Sequence, residues 1–181
     1  MSRLTHELNE DQWSTLGPQS PAQAFFKEYG RTVDSGGFNQ GSGTRFYAPS
    51  VIYHAQNGTT YHGGEQMWKW MRELFAPFER LNHPIHSVRE IAHANDDAGT
   101  VTIYVRVTRR LWMKGNKGDK PDVEVPMFWM CTIGPAETED AFGGLQFKEV
   151  WLFWDTAVLA PFMPKDAVVF RTHNPYEEKK N

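Results

Sequence analysis

The chain has 181 residues, of which 40% are hydrophobic, 14% aromatic and 23% charged, and its net charge at pH 7 is −3. This length and composition predict one ordered domain, alone or with tails, and exclude a disordered chain. The small negative charge gives no electrostatic sign of nucleic-acid binding.

Three features of the sequence predict a cytoplasmic protein with no membrane partner. The N-terminal stretch MSRLTHELNEDQWSTLG is polar and lacks the apolar segment of a signal peptide. No uninterrupted apolar run is long enough to span a bilayer. The only cysteine, Cys131, excludes an internal disulfide and fits a reducing compartment.

The first half of the chain predicts an arm and two helices. Residues 1–19 are expected to form a loose N-terminal arm. Ser20 and Pro21 supply an N-cap and a first-turn proline for a helix that Gly36 and Gly37 end. A second helix is expected over 64–78. The apolar positions at helical spacing are Phe25, Phe26, Tyr29 and Val33 in the first helix, and Met67, Trp68, Met71, Leu74, Phe75 and Phe78 in the second.

Strand-like segments make up most of the remaining chain. VIYHAQ and TTYHG flank Asn57-Gly58, a strong signal for a hairpin turn. After the second helix the apolar period changes to two, which predicts four sequential strands in an antiparallel meander, the first two joined by a turn at Asn95-Asp96-Asp97. Their sequences are HPIHSVREIAHA, GTVTIYVRVTRRLWM, DVEVPMFWMCTI and LQFKEVWLFWD.

The order of these elements predicts an α+β fold. Helices followed by a long antiparallel sheet favour a curved sheet wrapped around the N-terminal helices, a cone with an internal pocket. The segment DTAVLAPFM is expected to add a last helical turn. The domain is expected to cover residues 20–163, and residues 164–181 to form a C-terminal tail.

Three motifs in this order resemble one superfamily. FYAPSVIYH, GGEQMWKWM and FKEVWLFWDTAVLAPF are similar to the first hairpin, the Gly-acidic helix start and the last strand of nuclear transport factor 2-like (NTF2-like) proteins. Within that superfamily the chain resembles SnoaL-like polyketide cyclases, scytalone dehydratases and ketosteroid isomerases over roughly residues 20–163. The superfamily contains enzymes, binding modules and transport adaptors, so the fold alone does not decide the function.

The resemblance implies an acid–base pair of Asp34 and His83. Scytalone dehydratase-like chains carry an Asp at the end of the first helix and a His entering the third strand, and the two line the cavity. An aspartate that fixes the tautomer of a histidine leaves its second ring nitrogen free to move a proton near neutral pH. The alternatives are a turn role for Asp34 in Asp-Ser-Gly-Gly and an exposed strand-start role for His83 before Pro84. Leu152 occupies the position of the catalytic acid of the cyclases, which argues against an aldol cyclase.

Tyr53 and His54 are adjacent on one strand, so they point to opposite faces. The resemblance favours Tyr53 inside the cone, where its phenol would donate to a carbonyl or an enolate. A bulge could reverse this, so His54 stays a candidate for substrate binding. His62 is expected to be a turn residue. His86 lacks the carboxylate partners of a metal cluster, and we expect neither a metal nor a cofactor.

The strand around residue 105 leaves two alternatives open. Hydrophobicity places Ile103, Val105 and Val107 in the core. The resemblance instead places Tyr104 and Arg106 inside as substrate-binding residues, with the aliphatic stripe outside as the interface of a homodimer. Further candidates for substrate binding are Trp68 and Met71 in the pocket wall and Arg45 at its mouth.

The predicted function is that of a cofactor-free enzyme. It would bind a hydrophobic, oxygenated small molecule, such as a polyketide or terpenoid, and catalyse isomerisation, dehydration or cyclisation by general acid/base chemistry in natural-product biosynthesis. The alternative, motivated by Leu152, is a small-molecule-binding or adaptor module without catalysis.

Overall fold

The structure is a computed structural model that describes residues 2–55, 58–93 and 99–162. Its helices are α1 (Glu10–Leu16), α2 (Pro21–Asp34) and α3 (Gly64–Phe75). The strands are β1 (Ser2–Asn9), β2 (Tyr47–Ala55), β3 (Thr60–His62), β4 (Phe78–Asn82), β5 (Ile85–His93), β6 (Val101–Met113), β7 (Val123–Pro135) and β8 (Leu145–Trp154). A 3-10 segment, Thr156–Phe162, follows β8 as predicted.

The strands of the described chain form one curved sheet in the order β1-β5-β6-β7-β8-β2-β3, with β4 paired to β6. The antiparallel meander β5-β6-β7-β8 is confirmed. The prediction of a wholly antiparallel sheet is wrong, because β2 pairs with β8 in parallel, with Tyr53 opposite Val150. The alternation of apolar and polar residues shows which side chains of a strand face the core. It does not show whether a strand far away in the sequence pairs with it in parallel or antiparallel, so the sequence contained no sign of this pairing.

The two predicted helices cover the inner face of the sheet. The Ser20 side chain caps α2 by accepting from the Gln23 N–H, and Pro21 occupies the first turn. α2 packs Phe26 edge-on against Trp129 of β7, with ring centroids 6.0 Å apart. α3 buries Trp68 and the other apolar positions predicted for it, except Phe78, which begins β4. The predicted α+β cone is therefore confirmed.

A close backbone contact positions the start of α3. A Cβ atom on Gly43 would lie 2.2 Å from the carbonyl oxygen of Gly64, so both positions need a residue without a side chain. Glu65 completes the contact, because its Oε1 accepts from the Ser42 hydroxyl at 2.5 Å and from the Gly43 N–H at 2.9 Å. Gly64 and Glu65 thus join α3 to the turn that precedes β2.

The N-terminal segment is not the loose arm expected from the sequence. β1 pairs with β5 along the edge of the sheet, and the side chains of Asn9 and Gln12 form a capping box that starts α1. Leu8 and Trp13 are buried and anchor the segment to the core. The segment is ordered because burial of these two apolar side chains stabilises it, although the rest of the segment is polar.

Two predicted turns and the tail fall partly or wholly outside the described residues. The hairpin of β2 and β3 is confirmed by their pairing, and Gly58 has the positive φ of +80° that such a turn requires, whereas Asn57 is outside the described residues. Asn95-Asp96-Asp97 and residues 164–181 are also outside them. No helix in the described ranges is long and apolar enough to cross a membrane.

Candidate active site

The inner face of β6 carries the aliphatic residues and one cation. Ile103, Val105, Val107 and Arg109 are all buried, whereas Arg106 is exposed on the outer face. The expectation that Tyr104 and Arg106 face the cone is therefore wrong. Each branched aliphatic side chain buried under α2 and α3 stabilises the fold by about 1.5–3 kcal/mol. The three together therefore decide which face of β6 points into the core.

Asp34 and His83 are in direct contact. Asp34 is the last residue of α2, and His83 lies between β4 and β5, next to Pro84. The two are joined by a 2.5 Å hydrogen bond between His83 Nδ1 and Asp34 Oδ1, and the His83 backbone N–H donates to Asp34 Oδ2 at 3.1 Å. The carboxylate thus accepts from Nδ1–H and leaves Nε2 as the acceptor nitrogen of a neutral imidazole.

Arg109 occupies that second nitrogen, a contact that was not predicted from the sequence. Its Nε–H donates to His83 Nε2 at 2.9 Å. The guanidinium carbon lies 5.0 Å from the ring centroid of Phe75 and 4.5 Å from that of Trp154, within cation–π range of both rings. A signal was present in the sequence, since Arg109 has the same parity on β6 as Val105 and Val107 and so belongs to the buried face.

Burial affects the protonation of both His83 and Arg109. Burial lowers the pKa of His83, and the positive charge of Arg109 lowers it further, while the hydrogen bond to Asp34 acts in the opposite direction. Burial also lowers the pKa of Arg109, to about 10. At pH 7 the site therefore combines a neutral imidazole with a buried guanidinium cation.

His83 and Arg109 line a small cavity of about 40 Å³. The other lining residues are mostly aromatic or aliphatic: Phe26, Tyr29, Gly30, Val33, Met71, Ile85, Val107 and Trp129. Asp34 faces a separate polar cleft of about 340 Å³, which Phe75 also lines. The Asp34–His83 pair and the Arg109–Phe75 contact thus form the wall between cavity and cleft.

Tyrosine hydroxyls lie in the interior beside this cavity. Tyr29 lines it, and its hydroxyl shares a 2.6 Å hydrogen bond with that of Tyr47. Tyr53 points inward, as the resemblance implied, but it does not line the cavity, and its buried hydroxyl has no hydrogen-bond partner among the described residues. Burial raises the pKa of all three phenols, so each stays protonated and can act as a donor at neutral pH.

The remaining candidates divide between the cavity and the surface. Met71 lines the cavity and accepts a hydrogen bond from Tyr29 at Sδ, whereas Trp68 is buried against Tyr47 outside the lining. Substrate binding by His54 is not supported, because its ring lies on the outer face, 3.7 Å from that of Trp151. Arg45 does not line the cavity, because it is exposed and pairs with Glu28. His62, expected to be a turn residue, is instead the exposed last residue of β3.

Within the described residues, no group of three or more His, Cys, Asp and Glu side chains could hold a metal ion. His86 instead bonds to Glu10 and Thr108 through its two ring nitrogens, each at 2.8 Å. The polar side chains that line the cavity are the imidazole of His83, the guanidinium of Arg109 and the phenol of Tyr29.

Several solved structures share the fold of this chain. Aln2 from a Streptomyces species aligns with a TM-score of 0.58 and 15% identity, over 78% of this chain and 93% of that protein. ActVI-ORFA from Streptomyces coelicolor aligns with a TM-score of 0.56 and 11% identity, over 75% and 95%. Nuclear transport factor 2 from Cryptosporidium parvum aligns with a TM-score of 0.54 and 14% identity, over 82% and 98%.

No curated protein matches the sequence significantly. The family model of the SnoaL-like domain matches residues 30–134, more than half of the chain. This match includes Asp34, His83 and Arg109. The chain therefore belongs to the SnoaL-like family of the NTF2-like superfamily.

Proposed function

We propose that this protein is a cofactor-free enzyme that isomerises, dehydrates or cyclises a hydrophobic, oxygenated small molecule by general acid/base chemistry. The observation that carries this proposal is the 2.5 Å contact of Asp34 with His83 at the edge of an aromatic-lined cavity. A partly buried histidine oriented by a carboxylate is an arrangement suited to proton transfer. Membership of the SnoaL-like family supports the same class of activity.

The proposed step moves one proton through His83. Nε2 takes a proton from a carbon next to a carbonyl group, and the electrons of the broken C–H bond form an enolate. The imidazolium then returns the proton to another carbon, which isomerises the substrate, or to a leaving hydroxyl, which departs as water. Asp34 stabilises the imidazolium. The hydroxyl of Tyr29, which lines the cavity, replaces Tyr53 as the candidate donor to the enolate oxygen and would give up its long 3.8 Å contact with Met71 Sδ to do so.

The proposed step requires Arg109 to move. In the structure its Nε–H occupies the lone pair of His83 Nε2 that would accept the proton. A substrate oxygen that accepts from the guanidinium would draw Arg109 away and free that nitrogen. We further propose a substrate of the polyketide or terpenoid type, a role in natural-product biosynthesis and a cytoplasmic location, the last in keeping with the buried free thiol of Cys131.

The test is hydrogen–deuterium exchange at carbon. The protein is incubated in D₂O with a panel of hydrophobic ketones, and deuterium incorporation beside the carbonyl is followed by NMR. We expect His83→Ala to lower the exchange rate by about a hundred- to ten-thousandfold, the usual contribution of a general base. His62→Ala, which changes an exposed histidine, is the matched control and should be nearly silent. Exchange at the wild-type rate in His83→Ala would reject the proposal.

Asp34→Asn refines the assignment. An amide at this position can still hold the imidazole but cannot stabilise its charged form, so we expect a loss of rate. A loss smaller than that of His83→Ala indicates that orientation is the main role of Asp34. An equal loss indicates that its charge is needed.

A second candidate function is a binding module without catalysis. Two observations favour it: the cavity of about 40 Å³ is far below the usual 300–1,000 Å³ of small-molecule sites, and Nε2 is already hydrogen-bonded. In that case a ligand recovered from the purified protein and identified by mass spectrometry would come back chemically unchanged. In addition, the protein would not catalyse deuterium exchange in any ketone of the panel.

We also propose that the protein is a homodimer through the outer face of the sheet, the face expected from the sequence, but through other residues than the expected aliphatic stripe. Ile103, Val105 and Val107 are buried and cannot form an interface. The outer face of the sheet instead exposes an aromatic surface made of Tyr104, Phe128, Trp151 and Phe153, whose neighbouring rings lie 6.2–6.4 Å apart. An apolar surface of this kind on a regular sheet can pair with its own copy about a two-fold axis.

A further inference from the structure

Arg109 has a donor without an acceptor. Its Nη1 is buried and has no hydrogen-bond partner among the described residues, although its Nε is bonded to His83. The residue is only 3% exposed, so bulk water does not reach it freely. A buried charged donor without an acceptor is among the least favourable arrangements in a protein, so Nη1 needs an acceptor that the described side chains do not supply.

The negative charge nearest to Arg109 is already engaged. Asp34 uses one oxygen for the His83 ring and the other for the His83 backbone, so the imidazole separates the carboxylate from the guanidinium. Phe75 and Trp154 cover the guanidinium with rings that offer no strong acceptor along its donor directions. Among the described residues, the cavity lining contains no carboxylate. The cavity therefore presents a cation and a phenol, but no anion.

We propose that the cavity binds an organic oxyanion, a carboxylate or an enolate, through Arg109, and that the substrate is therefore a hydrophobic acid or a compound that ionises to an enolate there. This assignment rests on the proposed function, because it gives the charge of the substrate for the same site. A guanidinium matches a carboxylate through charge-assisted hydrogen bonds, and the aromatic walls around Phe26 and Trp129 fit an apolar remainder.

Size limits how the ligand enters. A cavity of about 40 Å³ accommodates a charged group of a few atoms, and the rest of the ligand needs more room. Met71 is the lining side chain best able to give way, because its unbranched thioether adopts many conformations at low cost.

Binding of an anion also changes His83. Among the described groups, Asp34 of α2 and Arg109 of β6 are the charged residues that act on the imidazole. Neutralising Arg109 removes one of the two influences that lower the pKa of His83, the other being burial, and moving its Nε–H frees Nε2. An oxyanion thus makes His83 a stronger base, so that binding prepares the catalytic group.

The experiment compares benzoate, and acetate as a smaller probe, with the neutral analogue benzamide, by calorimetric titration of the full chain. We expect benzoate to bind about ten- to a hundredfold more tightly than benzamide, the effect of one charge-assisted hydrogen bond. Arg109→Met, which keeps the length and apolar contacts of the side chain, should lose this preference. Arg106→Met makes the same change on the opposite face of β6 and should keep it.

Three outcomes would overturn the proposal. They are equal binding of benzoate and benzamide, no binding of either anion in the millimolar range, and an unchanged preference in Arg109→Met. If Arg109→Met does not fold, the pKa of His83 in the wild-type protein, measured by NMR of the imidazole nitrogens, replaces it. Benzoate should raise this pKa and benzamide should not, and a pKa that benzoate leaves unchanged rejects the proposal.

These results are independent of turnover. Benzoate binding that depends on Arg109, together with an absence of deuterium exchange, would reject the enzyme and keep the anion site. Exchange that depends on His83, together with equal binding of benzoate and benzamide, would reject the anion site and keep the enzyme.

Discussion

At the scale of single residues, two buried phenols on β2 differ in one hydrogen bond. Tyr47 and Tyr53 are both fully buried, but only the Tyr47 hydroxyl has a partner among the described residues, Tyr29 at 2.6 Å. Tyr47→Phe should lower the free energy of unfolding by about 1 kcal/mol, and Tyr53→Phe should cost less or even stabilise the protein. Urea unfolding of both variants checks this. A larger loss for Tyr53→Phe would show that its hydroxyl is satisfied, for example by a buried water.

The partly buried imidazole of His83 makes stability depend on pH. Because burial holds the pKa of His83 below its usual value of about 6.5, the unfolded chain binds a proton more readily than the folded one. The contribution of the neutral ring is complete above about pH 6.5 and is lost as the pH falls below it. Between about pH 8 and pH 5, the wild type should therefore lose more free energy of unfolding than His83→Gln, which cannot titrate.

The control for this comparison is His62→Gln, since His62 is exposed. Its pH dependence should match that of the wild type. A His83→Gln variant with the same acid sensitivity as the wild type would show that the imidazole contributes nothing to it.

Strand parity explains which site residues the sequence could reveal. The opposite directions of Tyr53 and His54 follow from their adjacency on one strand. The same rule, applied along β6, places Arg109 with Val105 and Val107 on the buried face, but a cation in the core contradicts the expectation from hydrophobicity. The contact of Asp34 with His83 came from family resemblance, because no local pattern joins residues that are 49 positions apart.

At the scale of elements, β1 is the clearest departure from the sequence prediction. The segment SRLTHELN lacks the alternation of a half-buried strand, so its pairing with β5 depends on backbone hydrogen bonds and on the burial of Leu8. It also supplies Thr5, whose hydroxyl donates to the buried Glu90 at 3.1 Å, and Glu90 accepts from Ser20 at the start of α2 as well. β1 thus helps to position the helix that carries Asp34.

Deletion of residues 2–9 should therefore lower the urea midpoint of unfolding markedly. It exposes the edge of β5 and removes one donor from a buried carboxylate. Thr5→Val, which removes only the hydroxyl, should cost about 1 kcal/mol. Leu4→Ser changes an exposed position on the same strand and should stay within about 0.5 kcal/mol of the wild type. An unchanged midpoint after the deletion would show that the segment is an arm after all.

At the scale of the whole molecule, the aromatic surface on the outer sheet face is the proposed interface of the homodimer. Phe128 and Phe153 are 41% and 45% exposed and lie opposite each other on β7 and β8. Phe128→Asp would place two like charges close to a two-fold axis, which opposes association. Light scattering should give twice 20.8 kDa for the wild type and 20.8 kDa for this variant.

Leu16→Asp is the control for that measurement, because Leu16 is 60% exposed on α1 and lies outside the aromatic surface. It should leave the dimer intact. A wild-type mass of 20.8 kDa at micromolar concentration would reject the dimer.

The parallel pairing of β2 with β8 has a consequence for biosynthesis of the chain. The paired residues, such as Ile52 and Glu149, are separated by more than half of the sequence, so this contact closes a very long loop and forms late. While the ribosome is still translating residues before Leu145, both β2 and β7 expose unpaired edges that can join other nascent chains. Chains cut short before β8 should therefore aggregate, because the sheet is completed only after β8 has left the ribosome.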